Sequence, residues 1–217
     1  AVLSGQEPPK PALTPAQQDL FRKACKFMDQ GKIDAAIDAC TKILEQARKD
    51  VPTLLLRGYA ELNKKGWTRY AVKDFEAVLE IDEDNVGAKI GLARTKLAGD
   101  QRQVEQALGL LQEVIKDNAE QGEALWLAAT ALATLGKTAE AISYTERAVV
   151  SLPEFAPAWL TLADLQLRGG VAAKAIVSAG KAVTFAPRDP GAWMLLGDAQ
   201  MAAGDKLAAE KSFRKAM

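Results

Sequence analysis

From Gln17 onward, apolar residues recur three and four positions apart in short stretches, and each stretch is broken by a glycine or proline. The clearest stretch runs from Ala156 to Asp189 and reads APAWLTLADLQLRGGVAAKAIVSAGKAVTFAPRD. Its first half places Trp159, Leu162 and Ala163 on one helical face, and its second half does the same with Ala175 and Ala182. Gly170 separates the halves and Pro187 follows the second. The stretch therefore predicts a helix, a turn and a second helix.

The same unit of 34 residues recurs along the chain, with key residues at places 4, 7, 8, 15, 20, 27 and 32. Residues 17–50 form the most worn copy, keeping Leu20, Ala24, Phe27, Gly31 and Ala36. Residues 51–85 carry Leu54, Gly58, Ala71, Phe75 and Val78, with one extra residue in the inner turn NKKGWTRY. Residues 86–121 carry Leu92, Ala93, Ala107, Leu111 and Val114, with two extra residues near Gly99. Residues 122–155 are regular, with Leu125, Ala129, Gly136, Ala141, Ala148 and Pro153. A sixth copy, residues 190–217, opens at Pro190 with Trp193, Leu196, Gly197, Gly204, Ala209 and Phe213 and stops at Met217.

The small residues at places 8 and 20 suit two helices that cross closely, where a larger side chain would overpack the crossing by roughly 1–3 kcal/mol. Glycine at place 15 allows a left-handed turn after the first helix. Residues 1–13 (AVLSGQEPPKPAL) hold three prolines and little to bury, and read as a flexible lead-in to a repeat array over 14–217. Thr14, Pro15 and Gln17 supply the cap, first position and capping-box partner of a first helix.

These places match the W-x2-L-G-x2-Y…A-x3-F…P pattern, and the chain resembles the tetratricopeptide repeat family. The resemblance covers nearly everything after the lead-in. It implies an all-α, right-handed solenoid of about six helix–turn–helix repeats, about twelve helices in all, acting as a protein-binding scaffold.

Composition narrows the function. Twenty-eight basic residues balance twenty-eight acidic ones, so neither nucleic acid nor an anionic membrane is expected as the main partner. Histidine is absent, which removes the commonest general base and metal ligand. No nucleophile with its base can be picked out, so no enzyme, cofactor or metal is expected. The longest uncharged apolar run, residues 124–136, is well short of the ~20 a membrane helix needs. Cys25 and Cys40 do not have zinc or redox spacing, and their places point them apart, as two free thiols.

Three other features read as structural. Gly136-Lys137-Thr138 ends like a phosphate loop but lacks the earlier glycine and the strand before it. Asp82-Glu83-Asp84 lacks the alternation and glycine of a calcium loop. Trp67 is expected to pack back onto its own turn, the alternative being a surface anchor for a partner.

In proteins this chain resembles, the first helices of successive repeats line a concave surface through places 2, 5, 9, 12 and 13. Place 5 here gives Phe21, Leu55, Ile90, Trp126, Leu160 and Met194, all apolar. Place 12 gives Met28, Leu62, Leu97, Ala133, Leu167 and Met201. Place 9 gives Cys25, Tyr59, Arg94, Thr130, Asp164 and Asp198. The lysine–asparagine set with which chaperone-binding members hold a terminal carboxylate is missing.

The expected function is capture of a peptide segment or amphipathic helix in an apolar groove containing Phe21, Leu55, Tyr59, Ile90, Arg94, Trp126, Thr130, Leu160, Asp164, Met194 and Asp198. Asp164 and Asp198 favour a basic flank on the ligand, and Trp126 is the expected anchor. The alternative is an assembly or oligomerisation module using stack ends or the convex face. On that reading Trp193, Leu196 and Phe213, with no following helix, invite self-association. The alanine-rich style resembles bacterial periplasmic and outer-membrane-associated members, including those of polysaccharide export and pilus assembly, and leaves a cytoplasmic place open.

Overall fold

The computed structural model describes residues 13–217, so the lead-in expected over 1–13 lies outside it except for Leu13. Every regular element among the described residues is a helix. In order they are α1 (Pro15–Asp29), α2 (Ile33–Leu44), α3 (Val51–Leu62), α4 (Thr68–Leu79), α5 (Val86–Lys96) and α6 (Gln101–Asp117). They continue as α7 (Gly122–Thr134), α8 (Thr138–Ser151), α9 (Ala156–Arg168), α10 (Ala172–Phe185), α11 (Pro190–Ala202) and α12 (Lys206–Ala216). This is the all-α, repeat-stacked class that the periodicity predicts. No described helix is long and apolar enough to cross a membrane. The chain forms two compact units, one ending at Thr95 and the other beginning at Lys96.

The helix starts follow from local chemistry. Thr14 accepts from the Gln17 amide while the Gln17 side chain accepts from the Thr14 amide, closing the expected capping box. Asp100 and Gln103 repeat the arrangement before α6. Asp50, Asp189 and Asp205 cap α3, α11 and α12, each accepting one backbone N–H, and Asp50 also accepts from the Thr53 hydroxyl. Five of the turns within pairs are closed by left-handed glycines, Gly31, Gly66, Gly136, Gly170 and Gly204, with φ between 69° and 86°. Gly66 is the repeat-2 counterpart, displaced by the extra residue in that turn.

In unit 1, α1 packs on α2, α2 on α3, and α3 on α4. In unit 2 the series runs from α6 through α12, each helix packed on the next or on its pair partner. The twelve small residues expected at the crossings are all buried, and every alanine among them is 0% exposed. Two crossings are filled by phenylalanine, and both face glycine. A Cβ on Gly58 would come 2.8 Å from the Phe75 ring, and one on Gly91 would come 2.4 Å from the same ring. A Cβ on Gly197 would stand 2.4 Å from the Phe213 ring. Where the crossing carries alanine instead, its counterpart is smaller, as in Ala24 with Cys40, Ala129 with Thr145 and Ala163 with Ala179.

Polar groups inside the stacks are matched in pairs. Ser178 donates to Gln166 at 2.8 Å and Ser212 to Gln200 at 2.7 Å, at equivalent places of successive repeats. The indole N–H of Trp159 donates to the Pro153 carbonyl at 2.8 Å, and that of Trp193 to the Pro187 carbonyl at 2.9 Å. Each tryptophan thus fastens its helix to the loop from the preceding repeat.

Two expectations meet a different packing. Leu196, expected to lie bare at the end of the array, is 8% exposed and packs in a core of Ala163, Ala179, Ala182, Val183 and Ala192. It points back between α9 and α10 rather than outward. Trp67 reaches beyond its own turn: it packs against Ala36, Ile37 and Ala60, with the Lys64 ammonium 3.7 Å from its ring centroid.

Candidate functional site

In unit 1 the expected groove side chains share the first helices. Phe21 and Cys25 stand on α1, and Leu55 and Tyr59 on α3, all half-buried. Two of the residues chosen from sequence are already committed to the fold. The Tyr59 hydroxyl donates to the Gly87 carbonyl at 2.8 Å, and its ring meets Phe75 edge-on at 5.1 Å. Ile90 is 3% exposed, so it offers no surface to a ligand; place 5 on α5 has turned into the packing. Arg94 is half-buried. Cys25 and Cys40 are both free thiols, the second buried, with burial pushing its pKa up to about 12.

A polar cluster that sequence reasoning missed lies inside unit 1. Arg57 donates to both oxygens of Asp74 at 2.7 Å and to the Thr41 hydroxyl at 3.3 Å. Glu61, 5% exposed, lies 3.9 Å from Arg57, and its Oε2 is buried without a hydrogen bond. Burial does most to raise the Glu61 carboxyl, the neighbouring Asp74 adds to it and Arg57 pulls the other way, leaving it at about 7. Glu61 and Asp74 occupy the places that Gln166 and Ser178 fill in α9 and α10. Two carboxylates stand where the later repeat has a neutral amide and hydroxyl, and the guanidinium offsets one of them. The signal was an Arg–Glu pair four residues apart on a helix otherwise rich in apolar residues.

In unit 2 the first helices of three repeats lie side by side, α7 against α9 and α9 against α11. Trp126 on α7, the expected anchor, is half-buried; its N–H donates to the Thr161 hydroxyl at 2.9 Å and its ring meets Phe155 edge-on at 5.1 Å. It ties α7 to α9 instead of standing free for a ligand. Beside it a cavity of about 440 Å³ opens between α7, α9 and α11. Thr130, Leu160 and Asp164, all selected from the sequence, line it. So do Thr134, Thr161, Arg168 and Leu195. Thr134 and Arg168 occupy place 13, one of the concave places, whereas Thr161 and Leu195 occupy place 6, which is not among them.

The lining is half polar, and its hydrogen bonding is specific. Thr130 donates its hydroxyl to the Trp126 carbonyl and Thr134 to the Thr130 carbonyl, both at 3.0 Å. Thr161 donates to the Pro157 carbonyl at 2.9 Å. Asp164 is held by Arg168, four residues on, through contacts of 3.1 Å and 2.9 Å. On α11, Met194, Asp198 and Met201 follow at i, i+4 and i+7 and are exposed, the two methionines by 54% and 46%. Their counterparts on α9, Leu160, Asp164 and Leu167, are half-buried. Among the described residues no group of three or more cysteines and carboxylates gathers as a metal site.

Family comparison finds the tetratricopeptide repeat at residues 92–154 and again at 190–217. No curated protein matches the chain. Among solved structures, MamA is similar at 25% identity, with 70% of this chain and 88% of that chain covered and a TM-score of 0.61. TTC0263, a thermophilic tetratricopeptide repeat protein of Thermus thermophilus, aligns at 21% identity over 85% of this chain and 99% of its own, with a TM-score of 0.73. PilW, a type IV pilus biogenesis factor, aligns at 17% identity over 92% and 91%, with a TM-score of 0.76.

Proposed function

We propose that the chain is a protein-interaction scaffold of the tetratricopeptide repeat family, whose second unit captures a peptide segment in the concave face of α7, α9 and α11. The observation that carries this reading is the 440 Å³ cavity between those helices, continued on α11 by the exposed Met194 and Met201. Large flexible apolar side chains beside a part-polar concavity suit a peptide that buries a few anchors and hydrogen-bonds between them. The role assigned is binding, with the helices as a rigid frame.

Selecting from a displayed peptide library on the purified chain, then titrating the selected peptide, tests the reading. Met194→Glu with Met201→Glu alters only exposed side chains and leaves the helices folded, yet should abolish saturable binding. Retention of the affinity by this double variant removes the concave face from the account.

The second reading, assembly through outer or end surfaces, draws on different residues. Leu207 on α12 is 69% exposed and Val177 on α10 63%. Phe213 is half-buried at the end of the described array. Under that reading the chain self-associates, and sedimentation at increasing concentration shows it.

A further inference from the structure

The threonines and the ion pair of the concave face together define what a captured segment must carry. Each of Thr130 and Thr134 has spent its proton on a carbonyl of its own helix. Their oxygens therefore offer the cavity only lone pairs. Asp164 offers the same, and Asp198 stands one repeat further on the equivalent face of α11. The only donor side chain in the lining able to serve a carboxylate, Arg168, lies across Asp164 from within the same helix. Its guanidinium is largely exposed, so it is held by that contact rather than by packing.

We propose that the face is built for an extended basic segment, and that Arg168 occupies the first cation site until the segment arrives. This rests on the concave face being the binding surface. One arginine or lysine of the segment replaces Arg168 at Asp164, and a second meets Asp198. Packed helix axes lie about 8–10 Å apart, a span covered by residues i and i+3 of an extended chain at about 3.1 Å per residue. Residues between the two cations lie over Leu160, Leu195 and Met194. An extended backbone also brings free N–H groups to the threonine oxygens, which a helix, with its amides already bonded, does not.

A labelled, end-blocked peptide with an Arg-Leu-Leu-Arg core, compared with its Glu-Leu-Leu-Glu counterpart, tests this by fluorescence anisotropy. The basic peptide should bind saturably and the acidic one should not. Asp164→Asn and Asp198→Asn should each weaken the basic peptide roughly fivefold, and added salt should reduce the difference between the two peptides. Arg168→Gln should tighten binding, because the competing guanidinium is gone. Equal binding of both peptides, lost in the Met194→Glu/Met201→Glu variant, overturns the basic specificity and leaves the concave face standing. Basic-peptide binding that survives that variant overturns both. Weaker or unchanged binding by Arg168→Gln overturns its role as internal occupant, and no binding of either peptide overturns the extended basic ligand.

Discussion

At the scale of single residues, two sites in unit 1 show how a repeat tolerates an unusual side chain. Phe75 is fully buried because Gly58 and Gly91 leave its ring room. Gly58→Ala should cost about 1–3 kcal/mol by overpacking, and Phe75→Leu a comparable amount by leaving a cavity. The double variant should cost clearly less than their sum, since leucine yields the space the new methyl needs. Chemical denaturation checks the cycle; simple additivity contradicts it. Glu61 is the second site. Its carboxyl titrates near 7 in the fold against an ordinary value of 4.5, so the fold binds its proton more tightly than the unfolded chain does. That stabilisation is complete below about 4.5 and is lost as pH rises through about 7. Thermal melts between about pH 5 and pH 8 should therefore show the parent losing stability, and Glu61→Gln losing less. Equal pH dependence in both chains removes Glu61 as the cause.

Among elements, the repeats are joined by side-chain hydrogen bonds as well as apolar packing. Trp159 and Trp193 reach the carbonyls of Pro153 and Pro187, each in the loop that precedes its helix. Replacing either by phenylalanine keeps most of the packing and removes the bond, and should cost about 1 kcal/mol in a denaturation experiment; an unchanged midpoint contradicts the clamp. The helices, left-handed glycines, Thr14 capping box and small crossing residues were legible in the sequence because each rests on local chemistry. What faces solvent was less legible. Ile90 and Trp126 occupy the same place as Met194, yet one is buried, one bonded to Thr161 and one open. Which of these holds depends on the neighbouring helix, and a repeat register carries no such information. The Arg57–Glu61–Asp74 cluster escaped for a related reason: its residues lie on α3 and α4 and look like ordinary surface charges until the helices pack.

For the whole molecule, function rests on which surface of the array meets a partner, and the four methionines report on that directly. Met28 lies on α1, Met194 and Met201 on the open face of α11, and Met217 beyond α12. With carbon-13 in the methionine methyl groups, each gives one resonance, assigned by single Met→Leu substitutions. Titrating the chain with a selected peptide should shift Met194 and Met201 together, saturably and with one midpoint, while Met28 and Met217 stay in place. A titration that moves Met217 alone, or leaves Met194 and Met201 unmoved at saturation, contradicts capture by the concave face of unit 2.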